Sequence, residues 1–414
     1  MIGRIGQLLI ASALLNGTAC ADDWAQFLGP HRNGHSAEKG LIDTFPQDGP
    51  AVVWRTALGV GMSGIAIADG TAFTLYQDDD DQFAVALDAA SGKPKWHKKL
   101  AAAYMNGMGN GPRATPTVSD GKVFVFTGEG ILSALNAESG EVAWSVNAVS
   151  EAGGEPAEYG MASSPLVIDK TVVVHAGGET GSVAAFNVTN GKKIWQAGTG
   201  AAGYSAPLAM TLSGRKQVVS FVGTSVLGID PASGKVLWQH PWITDYECNI
   251  AGPVALSADS LLISSGENHG AAVLKIAGSG DSLQPEVVWQ SEGPDSVLRA
   301  EWQTPVLIDG YLYGMDNIGS AGPITNLVCV RASDGEQVWR KDRFGKSNLI
   351  AADGKLFIST MKGELVIVKA TPDGFTESAR AEVLGMTRQA PAISGGRLYL
   401  RDDQEVVCLD VRRK

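Results

Sequence analysis

The stretch Ala86-Leu87-Asp88-Ala89-Ala90-Ser91-Gly92-Lys93-Pro94-Lys95-Trp96 decides the fold, because the chain repeats its pattern. An acid or amide opens a turn, a glycine ends it, and a tryptophan follows at a fixed distance. The same offsets recur at Asn136, Gly140 and Trp144, at Asn187, Gly191 and Trp195, and at Asp230, Gly234 and Trp238. Arg331, Gly335 and Trp339 keep the spacing without the leading acid. An Asp or Asn side chain accepts bonds from the amides of its own turn, and Gly supplies the left-handed backbone that closes a short hairpin. The Trp then falls in the next strand, where its ring buries against a neighbour and its indole N–H needs an acceptor.

Two further markers share this period. Pro116, Pro165, Pro207, Pro253, Pro305 and Pro391 each precede a short apolar strand; lacking an N–H, proline belongs on a sheet edge. Asp69-Gly70, Asp120-Gly121, Asp309-Gly310, Asp353-Gly354 and Gly395-Gly396 follow at the place of a two-residue hairpin turn. Together the markers define a repeat of four strands, which predicts an all-β fold. Seven units start near Ser63, Ala114, Ser163, Ser205, Ala251, Thr304 and Asn348. The fifth carries an insertion before Trp289, and the seventh has Ser378 where the Trp belongs. An eighth unit at 389–410 has three strands, and Ala51–Ala57, carrying Trp54, supplies the fourth. The expected architecture is an eight-bladed β-propeller of four-stranded antiparallel blades, closed by this N-terminal strand so that no seam is left open. Seven blades is the alternative count.

Composition limits the function. With 414 residues, 44% hydrophobic and 19% charged, a packed core is available. A net charge of −11 and no basic run argue against nucleic acid as a partner. Residues 1–21 read as a signal peptide: Arg4, an apolar run from Ile5 to Leu15, and cleavage near Ala21. The expected locale is the periplasm or cell envelope. A lipid anchor at Cys20 is the competing reading, disfavoured because Gly17 stands where such sites carry Leu. No later apolar run is long enough to span a membrane. The expected division is an arm over 22–48, lying across the outside of the ring, and the propeller over 49–414, acting as a monomer. Cys248, Cys329 and Cys408 are widely separated and fit buried thiols better than haem or zinc ligation.

These residues resemble the PQQ-like propeller repeat. The 86–96 stretch, and Gly228 to Trp238, are similar to the tryptophan-docking motif of quinoprotein dehydrogenases. Trp24 to Gly34 resembles the W-x-Q-F-x-G-P-x-R-x-G opening of exported PQQ-repeat proteins. One branch of the superfamily uses PQQ and calcium; the other, which includes BamB, uses the propeller as a docking scaffold. The dehydrogenases are longer and usually carry a vicinal disulfide, and here no two cysteines are adjacent. The resemblance therefore implies a non-catalytic scaffold of the BamB-like branch, without cofactor, that docks a protein or envelope polymer. A PQQ- and calcium-binding enzyme or sensor, and a glycan or cell-wall module, are the alternatives.

The connectors between blades gather on one face of a propeller, around the channel mouth. They carry Arg113, Tyr159, Tyr204, Tyr246, Glu247, Arg299, Glu301, Trp302, Lys346 and Arg388, the aromatic and charged mixture of a recognition surface. Set against this, loops are polar in every fold. Oxygen ligands for a metal are offered by Asp79 and Asp81 in an acidic hairpin, and by Glu267 and Asn268 beside His269. Neither group has the spacing of a dedicated site, and a solvated hairpin explains the first. His175 lies in an apolar run and reads as core. No G-x-S-x-G elbow or phosphate loop before a helix occurs.

Overall fold

Asp69 and Gly70 adopt φ of 48° and 67°, and Asp120-Gly121, Asp309-Gly310 and Asp353-Gly354 repeat the pattern. Two consecutive left-handed residues match the twist of the strands they join, so these pairs close tight hairpins. The computed structural model describes residues 23–280, 282–319 and 323–413; the expected signal segment and Cys20 lie outside the described residues. The strands form eight antiparallel four-stranded blades: 66–102, 117–147, 166–197, 208–241, 254–292, 306–341, 347–382, and 392–410 completed by Ala51–Ala57. The closing strand pairs antiparallel with Glu405–Asp410, Trp54 opposite Cys408. The chain is thus an eight-bladed β-propeller.

The tryptophans join the blades. Trp54, Trp96, Trp144, Trp195, Trp289 and Trp339 each donate the indole N–H to a carbonyl in the next blade's turn, at 2.9–3.1 Å. The turn glycine has a second role here. Gly140, at φ 73°, lies flat on Trp96, and a Cβ there would stand 2.7 Å from the ring. One residue therefore closes a hairpin in one blade and seats the Trp of the blade before. Trp238 departs from the pattern: its N–H goes to Gln217 Oε1 in its own blade at 2.6 Å. Blade 5 has no matching turn to receive it, and Leu283 from its insertion is buried at that junction instead.

The arm does not lie across the outside of the ring. It enters the central channel. Trp24 O accepts from Ile67 N and Ala25 O from Val118 N, while Gly34 O accepts from Ala351 N. His35–Ser36 adds a parallel strand to the inner edge of blade 7. Arg32, 3% exposed, donates to the carbonyls of Ser164 and Pro165 at 2.8 Å in blade 3. The physical reason is the inner strands themselves, whose edges point unpaired N–H groups into the channel and need acceptors. The flanks of the arm bond to turns on the face opposite the mouth: Asp69 N to Asp23, Leu41 N to Asp353, and Gly396 N to Glu38. The arm plugs the channel from that side.

Candidate functional site

Within each blade the chain runs inner strand first, so the blade connectors and the second hairpin of each blade share the mouth face. The structure brings one cluster of the expected residues together there. Lys346 Nζ lies 2.9 Å from Glu301 and 4.1 Å above the Trp302 ring, and the Arg388 guanidinium stands 5.3 Å from the same ring. Glu301 is 5% exposed; burial raises its pKa, and Lys346 opposes the shift. Arg388 donates to Met108 O and to the Met62 sulfur. Three connectors thus meet on one indole.

Arg113 is half-buried and holds the glycine-rich loop of the first connector. It donates to Gly109 O at 2.7 Å, to Gly111 O, and to Tyr159 O at 2.6 Å, with Tyr104 stacked at 4.7 Å. Burial lowers its pKa. Tyr159 and Tyr204 pair with ring centroids 5.7 Å apart, and the Tyr204 hydroxyl accepts from Tyr159 N; burial raises the Tyr204 pKa. Tyr246 and Glu247 project from the fourth connector, Tyr246 56% exposed. Beneath them, burial pushes the Cys248 thiol up to about 12, which keeps it protonated.

Other expected residues are taken up elsewhere. Arg299 is buried against Asp316, with Nε to Oδ1 at 2.7 Å and Nη2 to Oδ2 at 2.8 Å. It braces the fifth connector and offers no surface. Asp79 and Asp81 belong to blade 1, whereas Glu267 and Asn268 belong to blade 5, on the far side of the ring, so the two groups share no site. Asp78 accepts from the amides of Asp80 and Asp81, Asp81 pairs with Lys99 at 2.8 Å, and Asn268 Oδ1 accepts from Gly319 N. Among the described residues, no three His, Cys, Asp or Glu side chains stand where they would share a metal ion.

The sequence reasoning missed the apolar part of the face. Met105, Met108, Ile243 and Met386 are 69%, 44%, 64% and 53% exposed, and all lie in blade connectors. Their signal was legible as large apolar residues outside every strand. Glu158, exposed beside Tyr159, was missed because its connector is long and irregular.

The comparisons with known proteins agree with this fold. A family model described as outer membrane protein assembly factor BamB matches residues 38–158 and 106–341, together more than half of the chain. Outer membrane protein assembly factor BamB of Shewanella oneidensis is 33% identical over 178 residues, covering 38% of this chain and 42% of that relative. The same-named protein of Salmonella typhimurium is 23% identical over 302 residues, covering 70% and 71%. The matched stretch therefore spans under half of the Shewanella relative's length. Among solved structures, a europium-containing methanol dehydrogenase aligns over 94% of this chain and 89% of its own, with a TM-score of 0.67 at 14% identity. BamB from Moraxella catarrhalis aligns over 87% and 99%, with a TM-score of 0.62 at 15% identity. At these identities the likeness shows the fold alone.

Proposed function

The chain belongs to the family of outer membrane protein assembly factor BamB, and from that premise we propose that it is an exported, non-catalytic propeller scaffold that docks a protein partner on its channel-mouth face. The observation that carries this reading is where the exposed apolar side chains stand. Met105, Met108, Ile243, Tyr246 and Met386 gather on the connectors of that face, interleaved with Lys346, Arg388 and Glu247. Large apolar side chains exposed on one face among charges mark an interaction site, and methionine adapts to a partner's shape. The plugged channel supports it too, because the mouth becomes a floored cup that presents side chains outward. No helix among the described residues is long and apolar enough to cross a membrane.

The quinone reading has less support. The cleft lined by Glu301, Trp302, Gln303, Met315, Asn317, Lys346 and Ser347 has a volume of about 10 Å³, far under the roughly 300 Å³ at which small-molecule pockets begin. Within it, one oxygen of Glu301 is bonded to Lys346 and the other is buried without a hydrogen-bond partner among the described residues, and Arg388 and Lys346 already flank the Trp302 ring. This crowding supports the reading without a bound quinone.

A photo-crosslinker placed at Tyr246, in cells, tests the docking. Discrete protein adducts are expected from Tyr246 and not from Ile194, which is 46% exposed on an outer strand. Equal labelling from both positions, or none from Tyr246, would overturn the proposal.

A further inference from the structure

Two arginines of the mouth have no carboxylate partner among the described residues. In a chain of net charge −11, Arg113 and Arg388 lie close enough to repel each other. Their hydrogen bonds go to neutral acceptors only: the carbonyls of Tyr159, Gly109, Gly111 and Met108, and the Met62 sulfur. Arg388 Nε is buried with no hydrogen-bond partner among the described residues. The third cation, Lys346, is neutralised by Glu301. Clamping the loop at 106–111 requires donors, which neutral amides supply, and it does not require two like charges. A buried guanidinium nitrogen without an acceptor is costly unless something else completes it.

The surroundings define what completes it. Met105, Met108 and Met386 are exposed beside the two arginines, and Met62 touches Arg388. This part of the mouth brings two guanidinium groups and apolar side chains together, with Asp402 and Asp403 bonded nearby to the amides of Gly385 and Gly61 rather than to either arginine. Glu158 flanks Tyr159, whose carbonyl Arg113 holds, and Glu247 stands beside Tyr246 on the connector between blades 4 and 5.

Resting on the docking reading above, we propose that the Arg113–Arg388 side of the mouth takes an acidic polypeptide segment, a carboxylate pairing with Arg388 and neighbouring apolar side chains seated on the methionines. The carboxylate supplies the counter-charge that neither guanidinium has, and charge-assisted bonds to arginine are the strong class.

The test uses the full chain and a fluorescein-labelled peptide of alternating Glu and Leu. Controls are a Lys–Leu peptide, a Glu–Ser peptide, and vesicles of phosphatidylglycerol. The Glu–Leu peptide is expected to bind best, and to weaken several-fold when salt is raised to roughly 0.5 M. Arg388→Gln is expected to weaken binding about tenfold or more, and Arg388→Lys to retain most of it, which separates lost charge from a disturbed loop. Equal binding of the Lys–Leu peptide, indifference to Arg388→Gln, or Arg388-dependent binding to vesicles alone would overturn the inference. Failure of the peptide alongside specific trapping from Tyr246 overturns this inference alone; failure of both overturns the docking reading with it.

Discussion

Arg299 and Asp316 are 4% and 1% exposed at the side chain and bonded through two parallel contacts. Removing one member leaves the other's charge buried and unpaired, which costs far more than the pair contributes. Arg299→Met is expected to lower stability by about 3–5 kcal/mol, read as a shifted urea midpoint, while crosslinking from Tyr246 continues in the folded fraction. His175 gives a second residue-scale expectation. Burial, with Arg32 adding to it, pushes its pKa down to about 3. The unfolded chain binds a proton there below about 6.5 and the folded chain does not, so stability is full above that pH and falls as pH drops toward 3. Replacing the side chain by the similarly sized His175→Leu is expected to flatten the dependence between pH 7 and 5 by on the order of a kcal/mol or more. Parallel urea titrations at the two pH values, wild type against variant, decide it; identical slopes refute the assignment.

At the scale of elements, the ring is a chain of pairwise docks. Six tryptophans reach into the next blade's turn, and the junction after Trp238 replaces that bond with an apolar contact around Leu283. The junction after blade 7, where Ser378 stands, has no indole to dock. The arm adds a different support. Trp24, Leu28 and Leu41 are buried, worth roughly 5–9 kcal/mol of apolar transfer before the entropy of ordering the arm is subtracted. All eight blades have four strands without it, so deleting 23–48 is expected to leave the ring formed but less stable. Hydrogen exchange reports this directly: the amides of Ile67, Val118 and Ala351 lose protection in the truncated chain. Retained protection at all three would show that the arm is not their partner.

For the whole molecule, the two faces have different work. One is sealed by the arm and by tight turns. The other collects long connectors, exposed methionines and two arginines with no carboxylate partner among the described residues. The overall charge of −11 does not tell where Arg113 and Arg388 stand.

The blades are legible in the linear chain. Turn chemistry, strand length and the spacing from Asp88 through Gly92 to Trp96 act within a few residues, so they survive in a reading of the sequence. Ring closure by Ala51–Ala57 was legible for a related reason: an unfinished last unit and an unassigned first strand have only each other to pair with. Folding in three dimensions decided the rest. Arg299, Glu301 and Lys346 look alike along the chain, yet one braces a connector against Asp316 and two pair beside Trp302. The arm carries no repeat, and its place in the channel follows from unpaired amides on inner strands that lie far away in sequence. Arg388 acquires its meaning only beside Arg113, Met62 and Met108, the last two 326 and 280 residues away along the chain. Local rules build each strand and turn, whereas burial and charge belong to the neighbours that closing the ring brings together.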